Sequence, residues 1–151
     1  MQDLDLLRWP DPLPSAWQWE HAEPQQGWAQ AYRVSEDGLP RGTVQVALAA
    51  RHAVGASYPA GLHDRILAPS EDAPAKAIQL ASEAVMAAAP RCRRLVLACP
   101  EGDIPAIARA EAAGYRYVVD VDLPGGTFSL LAAEPEWVLE ESRNIDEVPT
   151  A

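Results

Sequence analysis

Apolar positions fall along this chain in two rhythms. In its first third they alternate with polar ones, the period of a strand with one buried face. Ala16-Trp17-Gln18-Trp19-Glu20-His21 predicts a short strand with Trp17 and Trp19 on one face, both in the core. Trp28 to Val34 alternates again and runs into Ser35-Glu36-Asp37-Gly38. Asp-Gly is a hairpin signal, because its glycine tolerates positive φ. The returning strand is Gly42 to Ala50, with Val44, Val46 and Leu48 inward, and a loop rich in Gly, Ala and Pro follows from Arg51 to Gly61.

From residue 62 strands and helices alternate. Leu62 to Ala68 reads as a strand that Pro69 ends. Ser70-Glu71-Asp72 is a cluster of cap-forming residues ahead of Ala73-Pro74, and proline suits the first turn of a helix. Ile78, Ala81, Val85 and Ala88 recur at helical spacing up to Pro90. Leu95 to Cys99 is a continuous apolar run, as in a strand covered on both faces. Asp103 caps a helix over Ile104 to Ala113, which Gly114 terminates. Tyr115, Tyr117, Val119 and Val121 alternate as a strand, both tyrosines toward the core. Pro124-Gly125-Gly126 turns the chain, and Thr127 to Ala132 returns antiparallel. Strands interleaved with helices call for an α/β (α+β) fold, with a mixed, partly parallel central sheet flanked by helices.

Composition narrows the function classes. The 151 residues suit a single domain, and a hydrophobic content of 48% suits a globular one. A net charge of −10 argues against nucleic acid and anionic membranes, which need a positive field; it reads first as solubility, and it would also attract a cationic amine or basic partner. The acidic, proline-broken start MQDLDLLRWPDP lacks a secretory pattern, and no apolar run reaches the length of a membrane span, so a cytoplasmic protein is expected. Cys92 and Cys99 have neither metal spacing nor a disulfide framework, and the histidines at 21, 52 and 63 have no metal-site context. No metal is expected. Arg91, Arg93 and Arg94 read as a solvated helix end.

The order of elements from residue 62 to 132 resembles the core of the GNAT acyltransferases. Three local patterns carry the resemblance. His63-Asp64-Arg65-Ile66-Leu67-Ala68-Pro69 stands where that family has a central strand ending in Leu-x-Val-x-Pro. Asp72-Ala73-Pro74-Ala75-Lys76-Ala77 stands at the Arg/Gln-x-x-Gly-x-Gly/Ala loop, whose amides cradle the CoA pyrophosphate at a helix start. Asp103-Ile104-Pro105-Ala106, Ala110 and Gly114-Tyr115 follow the family's Asn-x-x-Ala-x-x-x-Tyr-x-x-x-Gly-Phe. The resemblance implies a core over residues 28–133, a shortened acceptor-side segment over 1–27 and an acidic tail over 134–151, where Trp137, Val138 and Leu139 could dock.

The resemblance also implies a chemistry. Acetyl-CoA or another acyl-CoA would be the co-substrate, held by Ile66, Leu67, Ala68, Ala73, Ala75, Lys76, Ala77 and Asp103. His63 and Asp64 would be the base for an amine nucleophile, and amides around Leu67 would polarise the thioester carbonyl. The acceptor would be a small-molecule amine or a protein amine, with room for a homodimer or a protein partner. Three departures stand against this: Asp72 at the Arg/Gln position, Ala75 at the key glycine and Ala110 at the tyrosine that protonates the leaving thiolate. The other function implied is therefore a non-catalytic GNAT-fold module that binds a protein or an effector. Trp9 and Trp28, beside Pro and Gly, are the tryptophans expected at a binding surface or acceptor pocket.

Overall fold

A computed structural model of the chain describes residues 13–56 and 61–134. Trp9, Trp137 to Leu139 and nearly all of the acidic tail lie outside them.

Seven strands and two helices follow one another as β1 (Trp17–Ala22), β2 (Gln30–Glu36), β3 (Leu39–Leu48), β4 (Arg65–Pro69), α1 (Ala75–Ala88), β5 (Leu95–Pro100), α2 (Ile104–Ala112), β6 (Arg116–Leu123) and β7 (Gly126–Ala133). One mixed sheet holds all seven strands in the order β1-β2-β3-β4-β5-β7-β6. Every neighbouring pair is antiparallel except β4 and β5, which α1 connects as parallel strands. The β2–β3 hairpin turns at Asp37 and Gly38, both at positive φ, as Asp-Gly requires.

The sheet separates two apolar clusters. On one face Ile78, Ala81 and Val85 of α1 and Ala110 of α2 pack against Leu67, Leu95, Leu97 and Leu131. On the other, Ile66, Val96, Val121 and Leu130 pack with Ala49 and Val54 from two 3-10 turns, Ala49–Arg51 and Ala53–Ala56. The apolar run in β5 is thus covered on both sides, as its lack of alternation predicts. Burying side chains of this size stabilises by about 1.5–3 kcal/mol each.

Three local expectations are corrected. Trp17 is buried beneath α1 with Val34, Ala73 and Ala77, but Trp19 on the same face is 40% exposed. β1 is an edge strand of the sheet, and the rings of Tyr32 and His21 lie beside Trp19 with centroids 5.0 and 5.2 Å away. Tyr117 is also out of the core, at 54% exposure. Tyr115 belongs to the helix-side cluster and Val121 to the opposite one, and the register of β6 on β7 shifts between Tyr117 and Val119. One extra residue, Val118, flips the faces of the residues after it, because side chains alternate with period two, while Tyr117, opposite Leu131 before the shift, is exposed because β6 is an edge strand. Finally, Ser70-Glu71-Asp72 does not cap α1. The N-cap is Pro74, which makes no side-chain cap bond. The Ser70 hydroxyl instead accepts the Thr43 N–H at 3.0 Å and donates to the Asp72 carboxylate at 2.6 Å, fastening the β4–α1 loop to β3.

Candidate active site

The parallel pair β4–β5 separates before either strand ends. Their ladder joins Arg65, Ile66 and Leu67 to Leu95, Val96 and Leu97 and then stops, although β4 continues to Pro69 and β5 to Pro100. Both strands end in proline, which has no N–H to donate, so neither can extend the pairing at that point. The strands remain parted beyond Leu67 and Leu97.

A cavity opens on each face of the sheet at this gap. The helix-side cavity, about 440 Å³, reaches from Ala68 and Ala98 to Glu71, Cys99, Asp103 and Arg109. The cavity on the opposite face, about 330 Å³, reaches from the same two alanines to Trp28, His52, Leu123 and Phe128. Ala68 and Ala98 therefore border both spaces, and their small side chains leave the gap between the faces open.

The β4–α1 loop forms one wall of the helix-side cavity and is held rigidly. Arg109 of α2 donates from Nη1 to the carbonyls of Ser70, Glu71 and Ala73 at 3.0, 3.1 and 2.8 Å. From beneath, Gly42 of β3 sits at φ +87° so close that a Cβ there would lie 2.7 Å from the Ala73 Cα. The Ala73 N–H donates to the Ser70 carbonyl, and the Ala77 and Ile78 N–H groups both donate to Pro74. Pro74 has no N–H. The first turn of α1 thus offers the amides of Ala75 and Lys76 as its outward donors, together with the exposed Lys76 side chain. Glu71 and Asp103 oppose an anion in this cavity, while Arg109 favours one.

Two nearby groups have altered acidity. Burial pushes the Cys99 thiol up, which the Arg109 charge partly counters, and Asp103 reinforces the rise. A neutral thiol is a poor nucleophile, so Cys99 serves as wall rather than reagent. Burial lowers the pKa of His52. Its Nδ1 accepts the Val54 N–H at 3.1 Å, which assigns the proton of the neutral ring to Nε2.

The residues singled out in the sequence are distributed unevenly around the gap. Ile66, Leu67 and Ala68 line the cavity away from the helices, and Asp103 lines the other while capping α2 through its bond from the Ala106 N–H at 3.1 Å. Ala73 and Ala77 face the sheet in the Trp17 cluster, Ala75 packs on the main core and Lys76 is exposed. His63 and Asp64 precede β4 at its other end, about 13 Å of strand from Ala68, and line neither cavity. The buried Asp64 carboxylate accepts the Gly61 N–H at 2.8 Å, and the His63 carbonyl accepts from the Arg65 guanidinium. Ala110 does line the helix-side cavity, and no tyrosine is among the described residues lining either one. Trp28 lines the cavity away from the helices. The sequence gives His52 and Cys99 no metal or disulfide role and does not mark Phe128 or Arg109 as site residues. Arg109 left one signal, being the only cation in an otherwise Ala- and Ile-rich helix.

Solved structures share this fold. An uncharacterized protein from Bacillus halodurans superposes with a TM-score of 0.63 at 13% identity, over 79% of this chain and 66% of its own. The aminoglycoside acetyltransferase AAC(6')-Ib in complex with coenzyme A and kanamycin gives 0.63 at 16% identity, over 76% and 70%. An acetyltransferase from Thermus thermophilus gives 0.50 at 23% identity, over 73% and 66%. The chain has the GNAT acyltransferase fold. At these identities the likeness establishes the fold alone, and the chain spans about two thirds of the length of these structures. No protein-family model matches the chain, and no curated protein does. In this GNAT fold the link over residues 23–29 between β1 and β2 carries no helix, so Trp28 and the 3-10 turns wall the far cavity. Among the described residues no helix is long and apolar enough to cross a membrane, and no cluster of three or more His, Cys, Asp or Glu could hold a metal ion.

Proposed function

We propose that the chain transfers an acyl group from acyl-CoA to an amine, the thioester entering from the helix side and the amine from the opposite face. The observation that carries this reading is the pair of cavities meeting at Ala68 and Ala98, where the β4–β5 ladder stops. Such a gap lets two molecules approach one reacting carbon from opposite sides, which removes most of the entropic cost of bringing them together. Backbone groups at Leu67 and Ala68 border it and would polarise the thioester carbonyl. The phosphates would lie at the start of α1, on the Ala75 and Lys76 amides and the Lys76 ammonium, with Arg109 beside them. On this reading proton removal is not assigned to His63 or Asp64, which lie at the far end of β4. With Ala110 in the cavity wall, the leaving thiolate takes its proton from the amine or from water.

Calorimetric titration of acetyl-CoA into the purified chain tests this. Saturable binding is expected, weakened several-fold by Lys76→Ala. No heat at millimolar ligand would sink the acyl-transfer reading and favour the second one, a non-catalytic module of the same fold. That second reading draws on Ala75, Ala110 and the Arg109-pinned loop.

A further inference from the structure

The cavity facing away from the helices has a restricted chemistry. Among its described lining residues His52 is the only ionisable one, and no carboxylate, lysine or arginine is present. Trp28 and His52 line it with ring centroids 5.2 Å apart and planes tilted by 40°, and Phe128 and Leu123 supply further apolar wall. His52 presents a donor rather than an acceptor, because its Nδ1 is taken by the Val54 N–H. An alkylammonium entering this space would bury a charge with no counter-charge among the described lining residues, at a cost of several kcal/mol. Among the described lining residues it would also find no carboxylate to take its proton, and the His52 Nδ1 is already engaged. A weakly basic aromatic amine meets neither obstacle. It enters uncharged, keeps its nitrogen lone pair available, and offers a ring to Trp28 and Phe128.

We propose that this cavity is the acceptor site for an arylamine, an amine uncharged at neutral pH, with its ring against Trp28 and Phe128 and its nitrogen toward Ala68 and Ala98. An apolar cavity of about 150 Å³ takes a benzene, so 330 Å³ has space for one or two fused rings. The transfer step rests on the acyl-transfer reading, whereas the binding does not. In that step the nitrogen lone pair attacks the thioester carbonyl, the carbon–sulfur bond breaks, and CoA leaves as the thiolate. The proton lost from nitrogen ends on that sulfur, giving an anilide and free CoA.

The test uses ligand-observed NMR of the full chain without CoA, at neutral pH, with aniline, benzylamine and toluene as probes. Aniline and toluene are expected to bind, and benzylamine, an ammonium ion at this pH, at least about tenfold more weakly. Benzylamine binding as tightly as aniline overturns the proposal. Trp28→Ala should weaken aniline about tenfold or more with the far-UV spectrum unchanged, and unchanged aniline binding in that folded variant overturns it. A second variant covers the case in which Trp28→Ala fails to fold. The exposed Ala53 lies on the cavity wall, and Ala53→Asp should raise benzylamine affinity relative to aniline. An unchanged ratio overturns the proposal. Aniline that binds but is not acylated by acetyl-CoA sinks the transfer reading and leaves the cavity assignment standing. Acylation of alkylamines without aniline binding does the reverse.

Discussion

Removing the Arg109 guanidinium gives the sharpest prediction about stability. Its Nη1 carries two hydrogens and meets three carbonyls at 2.8–3.1 Å, so about two full hydrogen bonds are at stake. Bonds from a charged donor contribute about 1.5–3 kcal/mol each, and the half-exposed setting of Arg109 places these at the low end. Two effects reduce the loss. The Ser70 carbonyl keeps its bond from the Ala73 N–H, and the carbonyl of exposed Glu71 can turn to water. Arg109→Met preserves most of the stem's packing while deleting the donors, and it should cost about 2 kcal/mol. In a domain of this size that lowers the melting temperature by about 4–8 °C. Urea unfolding is the assay, with an unchanged m-value expected because the same surface is exposed on unfolding. Amide exchange should quicken first over residues 70–75. Arg109→Lys should recover part of the loss, since an ammonium can reach one or two of these carbonyls but cannot span all three. A loss below about 0.5 kcal/mol, the ordinary range for surface substitutions, would refute the claim that Arg109 fastens the loop.

Two further outcomes follow from the same region and the core. Gly42→Ala combines a positive φ, costing about 1–2 kcal/mol, with overpacking against Ala73, costing about 1–3 kcal/mol. A fall of less than about 1 kcal/mol in chemical denaturation would contradict the close approach of β3 to the loop. Tyr115→Phe deletes the bond to Ser82, 2.7 Å long, whose hydroxyl already donates to the Ile78 carbonyl, and should cost about 1 kcal/mol at neutral pH. Burial raises the Tyr115 phenol pKa, so the folded state keeps a proton that the unfolded chain loses above about pH 10. Stability from this group is complete below that range and declines as pH rises through it. The wild-type alkaline loss, measured by denaturant melts at stepped pH, should be shallower in Tyr115→Phe; an identical slope would count against the burial argument.

The element order was legible because each segment keeps its own period and is closed by Gly or Pro. Pro69, Pro90 and Gly114 mark ends that the structure places within a residue or two of β4, α1 and α2. Faces were less legible. Nothing in Arg116-Tyr117-Val118-Val119 distinguishes a bulge from a straight strand, since β-branched and aromatic residues fit either face. The bulge turns only the residues after it, so Val121 joins the far cluster, whereas Tyr117, opposite Leu131, keeps the helix-side face and is exposed because β6 is the sheet's other edge strand. The edge position of β1, which exposes Trp19, is a property of sheet order and not of any residue in β1. The site was legible only in part. The sequence puts His63, Asp64 and Ala68 on one strand from Leu62, whereas the strand begins only at Arg65 after a turn, and the sequence cannot say at which end its neighbour parts from it. That end is fixed by Pro69 and Pro100 acting together, and their partnership appears only once β4 and β5 are paired. Arg109 escaped because its partners are backbone carbonyls almost forty positions away, which leave no mark in side-chain chemistry.

The loop without glycine acquires a different meaning once its anchors are known. A glycine-rich phosphate loop gains close approach to its ligand but must be ordered when the ligand binds, and glycine has the most backbone freedom to lose. Here the shape of residues 70–74 is set in advance by Arg109 above, Gly42 below and Ser70 at the side. Asp72 accepts the Ser70 hydroxyl and is exposed, so it does not occupy the start of α1. A loop already held in one conformation pays less ordering entropy on binding, which offsets part of what the missing glycine contacts would have contributed. The two cavities then divide the work unequally. Among the described lining residues, charge is confined to the helix side, with Glu71, Asp103 and Arg109, while the far side carries a single imidazole of lowered pKa among apolar walls. Selectivity for the donor should accordingly depend on salt, and selectivity for the acceptor should not. Measuring both affinities between low and high ionic strength separates them, and a salt-sensitive acceptor would mean that the far cavity is charged after all.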